Sequence, residues 1–430
     1  MTRILPLSCL LVVAATVLSG CGGGDVSTDA SRLRLVNATS GFAGLDLVAD
    51  NDSTLRGVAP YTVSDYADVE PDSYTLDVRQ TGSAATLATA STTLGRRDHR
   101  TVVAYTSGGT MTMSVLDDDE DEPSSGNAKV RFFHTAASDT GNVDVYLVST
   151  DCADLASSAA AATATDIGGL QTAYSQVASS STPYHLCVTG VGDKSDLRLD
   201  VPSLRLDENR IVTIVLARGA GGYLLNGLVL EQRGAATQAL NASARVRVAA
   251  SRSPSVPTSV EVNGATIAAG LTSPNVGPYV LVNAGPVAVR IDGSDVAPAT
   301  PLTAGPGVDV TMLLTGPTPT VTLLADDNTA STSTARPVKL RVVNGVNGTT
   351  GTATLTVDNA PVGSGAAFAT ASGYSLVTAS AGLARIEARA GATQLYLRDN
   401  VTLASGRVYT LFLLGDLGAA PNTGILVADR

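Results

Sequence analysis

The chain of 430 residues has no tryptophan, 4% aromatic residues and only 16% charged residues. Its three histidines, His99, His134 and His185, are scattered. A catalytic zinc needs clustered His, Asp or Glu ligands, so three separated imidazoles give no ground for one. A Gly-x-Ser-x-Gly elbow, a His-Glu-x-x-His helix and a Walker loop are all missing, which removes the commonest hydrolase, metalloprotease and nucleotide signatures. Positive charge is also scarce: 28 Lys and Arg face 39 Asp and Glu, for a net charge of −11. Nucleic-acid binding rests on neutralising phosphates with Lys and Arg, so no nucleic-acid partner is expected. No catalytic, cofactor-binding or metal-binding residue is assigned, and an enzyme is not expected. The alternative is a secreted hydrolase or carbohydrate-active enzyme with its site in inter-strand loops, for which residues 149–166 are the one local candidate.

Long apolar runs are absent except near the start, where residues 10–18 follow Arg3. This run is too short for a permanent membrane span and fits the apolar core of a signal peptide. Leu18-Ser19-Gly20-Cys21 then matches the bacterial lipobox. The match implies cleavage before Cys21 and a diacylglycerol on its sulfur, with residues 1–20 removed. Proteins of this type carry more than one acyl chain, which suffices for stable anchoring. The membrane is therefore the expected partner, through lipid on Cys21. Gly22 in place of aspartate resembles the sorting pattern for an outer membrane. Residues 21–31, opening Gly22-Gly23-Gly24, read as a flexible tether.

Cysteine is rare as well, at four residues. Cys9 leaves with the signal and Cys21 is lipidated. Cys152 and Cys187 remain, and outside the cytoplasm two such thiols pair. The resulting disulfide would close a loop worth roughly 3–4 kcal/mol in the chain-entropy account.

What the chain has in quantity is Val, Thr, Ala and Gly, the first two suited to pleated sheet and the last to turns. One alternating stretch occurs four times: Leu33-Arg34-Leu35-Val36, Val130-Arg131-Phe132-Phe133, Val246-Arg247-Val248-Ala249 and Leu340-Arg341-Val342-Val343. A strand sends successive side chains to opposite faces, so the aliphatic residues face a core and the arginine faces away. Phe133 departs from the alternation and predicts a strand covered on both faces. A second run follows each copy: Leu45-Asp46-Leu47, Val143-Asp144-Val145, Val260-Glu261-Val262 and Thr354-Leu355-Thr356-Val357. Antiparallel pairing of the two runs would set Arg34 beside Asp46, Arg131 beside Asp144 and Arg247 beside Glu261 on a solvated outer face.

Each block holds roughly seven short strands in ~80–100 residues, the profile of a small antiparallel sandwich. The expected fold is all-β: four tandem antiparallel, Ig-like β-sandwiches over residues 32–116, 129–231, 245–325 and 338–430. Residues 117–128, 232–244 and 326–337 are read as linkers. The first contains Asp117-Asp118-Asp119-Glu120-Asp121-Glu122, six like charges that repel one another and favour solvent. Calcium is a weaker reading of that run and of Asp50-Asn51-Asp52-Ser53, because neither has spaced ligands. Within residues 149–166, alanine propensity suggests a short helix over 153–164. His134 is read as capping a strand end, and His185 as a sheet-face residue beside Cys187.

The order of these motifs resembles a bacterial family, domain of unknown function 4397. The resemblance is carried by Val130-Arg131-Phe132-Phe133-His134-Thr135-Ala136 and Val143-Asp144-Val145-Tyr146-Leu147. It extends to Tyr61-Thr62-Val63-Ser64-Asp65-Tyr66, to Tyr74-Thr75-Leu76-Asp77-Val78-Arg79, and to Leu403-Ala404-Ser405-Gly406-Arg407-Val408-Tyr409-Thr410-Leu411. Block three departs most, with Ala249-Ala250-Ser251 in place of the His-Ala-Ser element. The resemblance implies a fold and brings no catalytic residues. The expected role is that of a lipid-anchored cell-envelope protein, structural or binding, with an envelope protein or a glycan as ligand. Thiol titration of the unfolded, non-reduced chain from the cell envelope checks the cysteine assignment: none should react, and two reactive thiols would remove the Cys152–Cys187 bridge.

Overall fold

The computed structural model describes residues 29–296, 302–331, 333, 335–418 and 424–430. The apolar leader, Cys21 and most of the tether lie outside the described residues. The described residues are nearly all β, in sheets of four and five strands and one of two, with a single short α-helix, Ala137–Thr140. Among the described residues no helix is long and apolar enough to cross a membrane.

Among the described residues the strands fall into four successive units, each a five-stranded sheet facing a four-stranded one, with a further two-stranded pair, Gly285–Pro286 and Thr303–Ala304, in the third. In the first, Ser31–Asn37 lies between the short strands Thr62–Val63 and Ala67–Val69 on one side and His99–Ser107 on the other, with Thr110–Asp117 at the edge. Asp52–Val58, Leu45–Ala49, Ser73–Gln80 and Thr86–Thr93 make the facing sheet. Leu33, Leu35, Leu45, Leu47, Leu76, Val78 and Val102 fill the space between them. The same plan recurs around Asn127–His134, Ser243–Arg252 and Val338–Asn347. Every unit departs from a purely antiparallel sandwich in one way: its opening strand pairs parallel with a late strand. Leu33 stands opposite Arg100, Val130 opposite Val212, Val246 opposite Val310 and Leu340 opposite Tyr409. Parallel neighbours need a long crossover, and the whole facing sheet supplies it.

The alternation of the opening strands holds, but their outer faces are dry. Leu33 and Leu35 enter the first core, while Val36 joins Phe133, Val215, Leu228 and Leu230 of the second unit in a separate apolar cluster. Ala249 and Leu313 of the third unit meet Val343, Phe412 and Leu414 of the fourth in the same way. Phe133 is thus covered on both faces as its sequence predicts, in edge-to-face contact with Tyr105 at 5.5 Å. The units pack sheet against sheet, first on second and third on fourth, rather than as a rod of separate modules. The second and third units also touch, with Gly221 donating its N–H to the Gly307 carbonyl and accepting from Asn328.

Two local expectations are corrected. Residues 153–164 do not form a helix: Cys152–Asp154 is a 3-10 turn and Ala160–Ile167 is an edge strand on Val143–Val148. An open sheet edge offers ladder hydrogen bonds that outweigh the small alanine preference for helix. The acidic run is only partly solvated: Asp117, Asp121 and Glu122 are exposed, but Asp118 is buried at 2% exposure and Glu120 pairs with Lys129 at 2.5 Å. Asp326, placed at the start of another linker, is likewise buried.

Candidate functional site

Four guanidiniums organise the faces between units. Arg34, Arg131, Arg247 and Arg341 all point out of their own cores, yet each is at most 5% exposed because the facing unit of its pair covers it. Each donates from Nε to a threonine on the parallel partner strand: Thr101 at 2.7 Å, Thr213 at 2.7 Å, Thr311 at 2.8 Å and Thr410 at 3.1 Å. Each lies over a tyrosine ring, Tyr66, Tyr174, Tyr279 or Tyr374, at 4.4–4.5 Å from the centroid. Guanidinium suits this place because it is planar, stacks on aromatic faces and is less strongly hydrated than ammonium.

A buried charge also needs a counter-charge. Between the first two units this is Asp118, 3.5 Å from Arg34 and 3.9 Å from Arg131. Asp118 also accepts from Thr101 and from Tyr66 Oη, the latter at 2.7 Å. Between the third and fourth units Asp326 bonds Arg341 and stands 3.7 Å from Arg247, which pairs with Asp429 at 2.5 Å. The second unit has Gln232 just after the strand Leu225–Glu231, at the place where the others have an aspartate. Arg34 there donates instead to the carbonyls of Glu231 and Gly234, at 3.1 and 3.0 Å.

The proposed pairs Arg34–Asp46, Arg131–Asp144 and Arg247–Glu261 do not form. The opening and second runs lie in opposite sheets of each unit, so their outer faces point apart. Asp46 accepts from the Gly57 N–H and from Thr81 Oγ1, both at 2.7 Å, and Asp144 accepts from the N–H groups of Asp166 and Gly192, both at 2.8 Å. Glu261 pairs within its own sheet with Arg290 at 3.1 Å. Alternation along a strand does not announce this set, although its arginine, tyrosine and threonine recur at matching places in every block and its aspartate in three of the four.

Cys152 and Cys187 are bonded, with Cα atoms 5.6 Å apart. The bridge ties the turn at 152–154 to the strand Tyr184–Gly190, within a small cluster with Tyr146, Val148 and Leu155. His185 and Asp200 bring donor atoms within 4.8 Å of the Cys152 sulfur. That sulfur is held in the disulfide, and a thiolate is the form that ligates metal. His134 ends its strand, with Nε2 3.0 Å from the Gly141 carbonyl, and burial lowers its pKa.

A cleft of about 510 Å³ opens where the first, second and fourth units meet. Arg336, Arg407 and Arg430 line it with Asp139, Ser138, Ser331, Ser405 and the glycines 108, 109 and 406. Arg218 and Arg430 share Asp139 at 2.7 and 3.1 Å, which also fastens the fourth unit to the second.

Residues 31–146 match the family described as Domain of unknown function (DUF4397). The match covers the whole first unit and runs through the opening strand of the second to Tyr146. It therefore includes Arg34, Thr101, Asp118 and Arg131, the set that joins the two DUF4397-like opening strands. No curated protein matches the chain.

Two outcomes test this arrangement. Asp326→Ala leaves Arg247 and Arg341 short of a shared acceptor and should cost about 3–5 kcal/mol in denaturant unfolding, the range for breaking a buried ion pair. A loss below ~1 kcal/mol, the range of an exposed pair, would contradict it. The second outcome concerns alkaline pH. Burial, then the neighbouring Asp118 or Asp326 carboxylate, raises the phenol pKa of Tyr66 and Tyr279 well above the ordinary value; burial does the same for Tyr374 against the pull of Arg341. The unfolded chain then loses these protons first, so stability is intact below pH ~10 and falls as pH rises above it. Unfolding midpoints measured from pH 8 upward should show this decline, and Tyr279→Phe should flatten it; an unchanged slope would contradict the assignment.

Proposed function

We propose that the chain is a lipid-anchored cell-envelope protein whose tandem DUF4397-like units form a rigid structural or binding scaffold. The observation that carries the scaffold is the repeated arginine clamp. Four units with solvated outer faces would swing on their linkers, whereas these bury those faces pairwise around Arg34–Asp118–Arg131 and Arg247–Asp326–Arg341. Such a body holds its loops and inter-unit clefts at fixed separations, which suits recognition of an envelope protein or glycan. The anchor is supported by Leu18-Ser19-Gly20-Cys21 and by the apolar run before it. The repeat is supported by the shared strand order and by the Arg–Thr–Tyr set in all four units. The Cys152–Cys187 bridge suits an oxidising compartment.

Cell fractionation with labelled palmitate tests the anchor. The chain should be labelled and sediment with membranes, and Cys21→Ser should lose both label and sedimentation. An unlabelled chain in the soluble fraction would overturn the anchored reading.

A further inference from the structure

We propose that the cleft between the first, second and fourth units binds a small hydroxyl-rich oxyanion, a sugar acid or a sugar phosphate. This deepens the binding reading above and rests on it.

The chain carries a net charge of −11, yet this cleft gathers Arg336, Arg407 and Arg430, with Arg218 just behind. The single carboxylate in its wall among the described residues, Asp139, is already occupied on both oxygens by Arg218 and Arg430. Burial shifts the Arg430 pKa down, with Asp139 opposing and Arg218 and Arg407 adding to the shift. Crowded guanidiniums of this kind favour a further anion.

Most arginines of the chain are paired with a carboxylate, but Arg336 and Arg407 have no side-chain acceptor among the described residues. Arg336 is nevertheless placed. Its carbonyl accepts from the Gly406 N–H and from Ser405 Oγ, both at 2.8 Å. Its guanidinium lies so close over Gly406 that an added Cβ would come within 3.1 Å of Nε. Gly406 has φ +71, so the loop both requires glycine and leaves room for the guanidinium there. A planar guanidinium over Gly406 with no acceptor of its own is free to take a carboxylate or phosphate bidentately.

Ser138, Ser331 and Ser405 offer hydroxyls, and among the described residues no aromatic ring lines the cleft for a neutral sugar to stack on. The volume of about 510 Å³ falls in the range of small-ligand sites. Charge would hold such a ligand, and the serines would read its hydroxyls.

Calorimetric titration of the full chain at low ionic strength tests the site, with glucuronate, glucose 6-phosphate and glucose as probes. One or both anions should bind saturably and glucose should not, and the tighter anion identifies the oxyanion. Arg336→Ala with Arg407→Ala should weaken anion binding about tenfold or more, given the strength of hydrogen bonds to charged groups. Both side chains are exposed, so the unfolding midpoint should stay put. Lysine at both positions should restore part of the affinity. The proposal is overturned if neither anion binds, if glucose binds equally well, or if the double variant binds as the parent does. Failure here with the chain still acylated and membrane-bound overturns the ligand alone. A soluble, unlabelled chain that still binds the anion overturns the anchor alone.

Discussion

A guanidinium removed from water must find its hydrogen-bond acceptors inside the protein, because leaving a buried charge unpaired costs several kcal/mol. Four times this chain places an arginine on the outward face of a central strand, and four times it covers that face. Everything between the units follows from this. The threonine on the parallel strand takes Nε, the tyrosine ring covers the guanidinium plane, and an aspartate at the end of a unit's last strand balances the charge. The aspartate can serve two arginines only if two outer sheets close upon it. Asp118 and Asp326 therefore determine which units pair as well as how strongly.

The parallel pairing matters to the same end. It brings the threonine strand beside the arginine strand, so Arg34 and Thr101 stand in register, as do Arg247 and Thr311. The residue two places after each arginine, Val36, Phe133, Ala249 or Val343, shares its face and supplies the apolar surface around the polar set. The result is a polar centre ringed by aliphatic contacts, the arrangement in which buried ion pairs specify one packing rather than many.

Much of the fold was legible in the sequence. Period-two alternation marked the strands, and the recurrence of Leu33-Arg34-Leu35-Val36 marked the units. The rarity of cysteine pointed to the pairing of Cys152 with Cys187. What alternation cannot tell is whether the outward face is wet. Arg34 reads as solvated by its type alone, and Val36 beside it was the contrary signal. The acidic run misled for a related reason: Asp119 and Glu120 are partly exposed, but Asp118 lies inward where two arginines await it. The cleft at Arg336, Arg407 and Arg430 joins residues from separate units, and no local pattern announces such a meeting.

The central claim is that the clamp makes each pair of units one cooperative body. Native-state hydrogen exchange under mild denaturant measures this directly. If the clamp joins them, the amides of Ser31–Asn37 and Asn127–His134 will open together with one common free energy, and Asp118→Ala will lower both. Two strands that open at unrelated free energies, with only one responding to Asp118→Ala, would contradict the account.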